Sequence, residues 1–135
     1  MSQSPLLLAL LLSARALAID FGVPAHPLDV VLGRPTDHSV TVSVVAYQAG
    51  DGYVEYGPAS GGTTVTTATR PFPVETGVEF VLDGLLQNAP YTYRVFWRSG
   101  TDGTYAPTAA KTFRTARPAD VDFTFTIQAD AHLDS

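Results

Sequence analysis

Leu82-Asp83-Gly84-Leu85-Leu86-Gln87-Asn88-Ala89-Pro90-Tyr91-Thr92-Tyr93-Arg94-Val95-Phe96-Trp97 decides the fold. An apolar run ends in an Asp-Gly turn signal, and a Leu-rich corner follows. Pro90 cannot donate a ladder hydrogen bond and belongs at a strand entry. From Tyr91 the pattern alternates. Tyr91, Tyr93, Val95 and Trp97 share one face, and Thr92, Arg94 and Phe96 the other, because side chains along a strand have period two. Leu85 followed by Tyr91 predicts a tyrosine corner, in which the ring packs and its hydroxyl bonds back to the corner backbone. That places the stretch late in a β-sandwich.

The flanking sequence supplies the other strands. Leu28 to Leu32 is closed by Gly33 and Pro35. Ser39 to Tyr47 alternates, with Val40, Val42, Val44 and Ala46 inward and Thr41 and Ser43 outward. Ala49-Gly50-Asp51-Gly52 reads as a hairpin turn before a short strand, Tyr53 to Tyr56. Thr63 to Thr69 is rich in β-branched residues, and Arg70 to Pro73 breaks it. Gly77 to Leu82, the stretch from Tyr91, and Lys111 to Thr115 complete seven short strands at turn-punctuated spacing. The predicted fold class is all-β, a seven-stranded two-sheet sandwich. No stretch has helical periodicity.

Composition narrows the function. The chain has 135 residues, enough for one domain of ordinary size. A net charge of -5 with no Lys/Arg run argues against a nucleic-acid partner. With no cysteine there is neither a disulfide framework nor a Cys-based zinc site. Leu6 to Leu12 is apolar but far shorter than the roughly 20 residues of a membrane helix. Ala16-Leu17-Ala18 has the small-x-small form of a cleavage site. Residues 1–18 therefore read as a signal peptide, although no Lys or Arg precedes Leu6. The expected mature chain starts at Ile19, is secreted or periplasmic, and has no membrane segment.

Several pieces together resemble one family: Gly33-Arg34-Pro35-Thr36-Asp37-His38-Ser39-Val40-Thr41-Val42-Ser43, Val54-Glu55-Tyr56-Gly57, Leu82-Asp83-Gly84-Leu85, Tyr91-Thr92-Tyr93-Arg94-Val95 and Phe113-Arg114-Thr115. They are similar to the N-terminal fibronectin type III-like domain of purple acid phosphatases. In that family the domain precedes a calcineurin-like metallophosphoesterase domain, whose first strand ends in a metal-binding Asp. Here Phe123 to His132 resembles that strand, with Asp130 at the ligand position. Val44 stands where the family often has Trp. Plant-type members carry Asp-x-Gly where this chain has Asp130-Ala131-His132, the form of other metallophosphoesterases in which both residues bind one metal. The resemblance is thus to the wider superfamily with this domain order.

It implies a fibronectin type III-like domain over 19–117, a linker at 118–120, and the truncated start of a metallophosphoesterase domain over 121–135. It implies two metal ions (Fe, Zn or Mn) in the parent enzyme, a phosphate-ester substrate, and a downstream catalytic domain as partner. The chemistry of the pair agrees. Residues i and i+2 of a strand point to the same side, so Asp130 and His132 can converge on one ion. Mixed oxygen and nitrogen donors suit Zn, Mn or Fe rather than a calcium cage. Two ligands are too few for a complete site, so these residues alone are expected to bind metal weakly and to catalyse nothing. The competing reading is a secreted binding or adhesion module without catalysis. His26 and His38 read as surface polar residues, and Asp51, Asp83 and Asp102 as turn residues.

Overall fold

The computed structural model describes residues 25–122 and 124–127. They form strands β1 (Leu28–Gly33), β2 (Val40–Ala46), β3 (Gly50–Pro58), β4 (Val65–Thr66), β5 (Arg70–Phe72), β6 (Gly77–Leu82), β7 (Pro90–Ser99), β8 (Ala106–Pro107) and β9 (Lys111–Arg114). No helix occurs among them. β1, β2 and β6 make one antiparallel sheet, in that order. In the second, β3 and β7 lie at the centre; β4 and β5 both pair with β3, and β8 and β9 both pair with β7. The described residues are an all-β sandwich.

The alternating pattern of β2, β6 and β7 builds the core. Val42, Val44, Ala46, Leu82, Val54 and Val95 have no exposed surface. They face one another between the sheets, where each buried aliphatic side chain contributes about 1.5–3 kcal/mol. Phe72 meets Phe80 edge-on at 6.0 Å and closes one open side of the sandwich. On the other side a cavity of about 260 Å³ lies between Leu28 and Tyr93. Trp97 is half-buried against the core.

Three expectations need correction. Gly50, Asp51 and Gly52 are not a turn; they begin β3 and pair with Ser99, Arg98 and Trp97. A Cβ on Gly50 or Gly52 would strike the carbonyl oxygens of Arg98 and Phe96. These glycines permit close approach of two strands, not reversal of the chain. Arg70 to Phe72 is a strand, and Phe72 is a core residue only 1% exposed. Its neighbour Pro71 is tolerated because β5 is an edge strand. Finally, Thr124–Ile127 is not in a strand, and Ile127 is 82% exposed. Alternation yields a strand only where a neighbour offers a ladder, and the last ladder of the described residues ends at Arg114.

Nine segments replace the seven strands expected because both edges of the larger sheet are interrupted. Between β4 and β5, Thr67 accepts the Val54 N–H on Oγ1 at 3.0 Å and donates its own N–H to the Val54 carbonyl at 2.9 Å. Between β8 and β9, Thr108 does the same for Val95, at 3.1 and 2.9 Å. In each case a hydroxyl replaces a missing backbone acceptor, and the register slips by one residue beyond it.

Candidate functional site

The first candidate is the end of the sandwich where the chain leaves it. Gly84 turns the chain at a φ of 67°. Tyr91 Oη accepts the Leu86 N–H at 2.9 Å, which is the predicted tyrosine corner. The Leu85 N–H donates to the His38 carbonyl at 2.9 Å, tying the corner to the β1–β2 turn. Thr115 is 3% exposed. Its hydroxyl donates to the Leu86 carbonyl at 2.6 Å and accepts the Ala89 N–H at 2.9 Å. Next in the chain, the Ala116 N–H donates to the Thr36 carbonyl at 3.0 Å, and its carbonyl accepts the Asn88 N–H at 2.9 Å. The exit is therefore clasped through Ala116, and a turn closed by Val121 N–H to the Pro118 carbonyl follows. The expected linker at 118–120 coincides with that turn. Leu86, 72% exposed, and Val121, 47% exposed, leave apolar surface at this end.

The second candidate is the outer face of the larger sheet. Arg98 makes a two-point contact with Asp51, Nε to Oδ1 at 2.7 Å and Nη2 to Oδ2 at 3.0 Å. The Arg98 hydrogen bonds hold the Asp51 carboxyl below the usual carboxylate range and in turn raise the guanidinium. Asp51 is thus an ion-pair residue of β3, not the turn residue expected. Arg98 also lies 4.7 Å over the Tyr105 ring. Tyr105 meets Tyr53 edge-on, and Tyr53 stacks on Phe96 at 5.1 Å with planes 3° apart. Two residues along each central strand, on the same face, Glu55 stands opposite Arg94. Beside them runs a groove of about 190 Å³ that also takes in Gly57, Gly61, Gly62, Thr64 and Thr92.

The histidines have local partners. His26 Nε2 lies 2.7 Å from Asp29 Oδ1, and the Tyr47 hydroxyl donates to the other carboxylate oxygen. The Tyr47 bond, then the His26 bond, lower the Asp29 carboxyl, and Asp29 raises Tyr47. This triad pins the start of β1 to the end of β2. His38 Nδ1 donates to the Leu85 carbonyl at 3.3 Å.

Asp130 and His132 lie outside the described residues, as do residues 1–18. Among the described residues no group of three or more His, Asp or Glu side chains could hold a metal ion. Sequence reasoning missed Thr115 and the Glu55–Arg94 groove as sites. Thr115 had a signal, since it closes the Phe113-Arg114-Thr115 piece, but its partners lie 26 and 29 residues earlier in the chain.

No family model matches the chain, and no curated protein does. Solved structures do match. The sensor domain of the anti-sigma factor RsgI4 of Pseudobacteroides cellulosolvens, in its short form, is 13% identical with a TM-score of 0.51, over 70% of this chain and 99% of that one. Its solution structure is 11% identical with a TM-score of 0.52, over 77% and 92%. A computer-redesigned β-sandwich protein is 19% identical with a TM-score of 0.50, over 67% and 93%. Similarity at this level extends to the sandwich fold.

Proposed function

We propose that this chain is the N-terminal portion of an exported metal-dependent phosphoesterase. In this reading the sandwich is a non-catalytic domain that orients the catalytic domain following it. Asp130 and His132 supply the first two ligands of a two-metal site, completed by the downstream domain. The donor set suits Zn, Mn or Fe. When bound, such a metal pair activates water and clamps the phosphoryl oxygens of a phosphate ester. The chain's own contribution before that point is positional. The clasp of Ala116 between Thr36 and Asn88 gives the outgoing chain one direction, as an orienting domain requires and a loose tether does not. That clasp, followed in sequence by Asp130-Ala131-His132, is the observation that carries the proposal.

The test is a protein extended through the downstream domain. Asp130→Ala should lower metal content and phosphatase turnover together, and the 135-residue chain alone should hydrolyse no phosphate ester. Full metal and full activity in the extended Asp130→Ala protein would refute the reading. The competing reading, an extracellular binding module without catalysis, is favoured by the groove beside Glu55 and Arg94. The sequence past Ser135 separates the two. Further Asp, Asn and His metal motifs support the enzyme, whereas a stop codon or a second sandwich supports the module.

A further inference from the structure

The groove on the outer face of β3 and β7 has no part in the phosphoesterase role. Glu55 and Arg94 are direct cross-strand partners, yet they make no ion pair with each other and bond no other side chain among the described residues. Opposite charges left apart on an exposed face present an acceptor-only carboxylate beside a donor-only guanidinium fork. Their charges sum to zero, so the groove carries no net charge to draw an ion of either sign. The chain's net charge of -5 further disfavours anionic ligands. A neutral vicinal diol matches this pair, because one hydroxyl can donate to Glu55 while its neighbour accepts from Arg94. Thr64 and Thr92, whose hydroxyls both donate and accept, line the same space.

The walls fit a small ligand. Gly61 and Gly62 have φ of 91° and 121°, and nothing stands within 4 Å of where a Cβ would be, so backbone alone borders the groove there. At Gly57 a Cβ would come within 3.1 Å of the Thr63 carbonyl oxygen, so the loop rides directly on the strand. The volume of about 190 Å³ is below that of pockets for drug-sized ligands, about 300–1,000 Å³, and suits one sugar ring. Next along the same face stands the half-buried Tyr53–Phe96 stack, whose rings face each other with planes 3° apart and so offer apolar ring edges to an adjoining unit.

We propose that this face is a saccharide-binding site. It takes one pyranose unit of a neutral oligosaccharide between Glu55 and Arg94, with the next unit against Tyr53 and Phe96. An open groove of this kind should bind with a dissociation constant on the order of 1 mM.

The test uses the full chain, ¹⁵N-labelled and titrated by NMR. The probes are neutral tetrasaccharides of glucose (both linkage types), mannose, xylose and N-acetylglucosamine. At least one should shift amides confined to residues 55–57, 61–64 and 92–94 together with Tyr53 and Phe96. Glu55→Ala and Arg94→Ala should each weaken that binding about tenfold or more, with Arg94→Lys in between. Both side chains are on the outer face, so the melting temperature should stay at the wild-type value and exclude misfolding as the cause. Three results would overturn the proposal: no tetrasaccharide shifts these amides, the shifts are indifferent to Glu55 and Arg94, or a zwitterionic dipeptide such as glycylglycine occupies the groove and the sugars do not.

Discussion

Replacing Thr115 by Val keeps the shape of the side chain and removes one hydroxyl. That hydroxyl accepts the Ala89 N–H at 2.9 Å and donates to the Leu86 carbonyl at 2.6 Å, with the Ala89 carbonyl a longer second acceptor at 3.3 Å, on a residue 3% exposed. A net hydrogen bond contributes about 0.5–1.5 kcal/mol, and a buried group left without a partner costs about 1–3 kcal/mol. The carbonyl of exposed Leu86 can recover water, so we expect a loss of about 2 kcal/mol rather than the sum of two full penalties. For a domain of this size that lowers the melting temperature by on the order of 10 °C. Thr115→Ser, which keeps the oxygen, should lose much less. Leu86 makes the prediction sharper, because Tyr91 Oη holds its N–H while Thr115 holds its carbonyl. A Tyr91→Phe/Thr115→Val double-mutant cycle should therefore be non-additive, with a coupling of at least about 0.5 kcal/mol. Calorimetry gives the stabilities, and hydrogen exchange at Asn88 and Ala116 reports whether the exit loosens. If Thr115→Val melts with the wild type and Thr115→Ser does not, the clasp is misassigned.

Three other outcomes follow from the same geometry. Tyr91→Phe alone should cost about 0.5–1.5 kcal/mol, and an unchanged denaturation midpoint would contradict the corner bond. Gly52→Ala would put a Cβ against the Phe96 carbonyl and 2.7 Å from Phe72 Cε2, so urea unfolding should show a loss of about 1–3 kcal/mol or more. Asp51 has a folded pKa depressed by Arg98, so its contribution to stability is present above the unfolded value near 3.8 and is lost as pH falls through the lower folded one. Acid titration of stability should thus be steeper in the wild type than in Asp51→Asn below about pH 4, and equal slopes would count against the pairing.

The parts legible in the sequence are those fixed by local pattern. Period two set the inward faces of β2 and β7, and the Leu85–Tyr91 spacing set the corner, because each depends on neighbours a few residues apart. Pattern failed where a residue's role belongs to another strand. Gly50 and Gly52 carry the composition of a turn, but their reason is the backbone of β7, nearly fifty residues on. Phe72 sat beside a proline in a short segment, and only its contact with Phe80 marks it as core. Thr67 and Thr108 look like ordinary β-branched residues, and nothing local announces that their hydroxyls replace ladder acceptors. The Glu55–Arg94 groove requires the β3–β7 register before its two charges can be placed side by side.

The two breaks beside those threonines also bear on strand addition between molecules. A strand from another molecule can extend a sheet only along a run of free, evenly spaced N–H and carbonyl groups on its rim. On one rim of the larger sheet the regular runs are two and three residues long, in β4 and β5. On the other they are two and four residues, in β8 and β9. At each break the register slips by one, so an incoming strand that matches the first run puts its side chains on the wrong face for the second. Templated growth from either rim would stall within a few residues. Restoring a continuous rim, by deleting the one extra residue between β8 and β9, should make this sheet a nucleus for polymerisation while leaving the interior of each molecule unchanged.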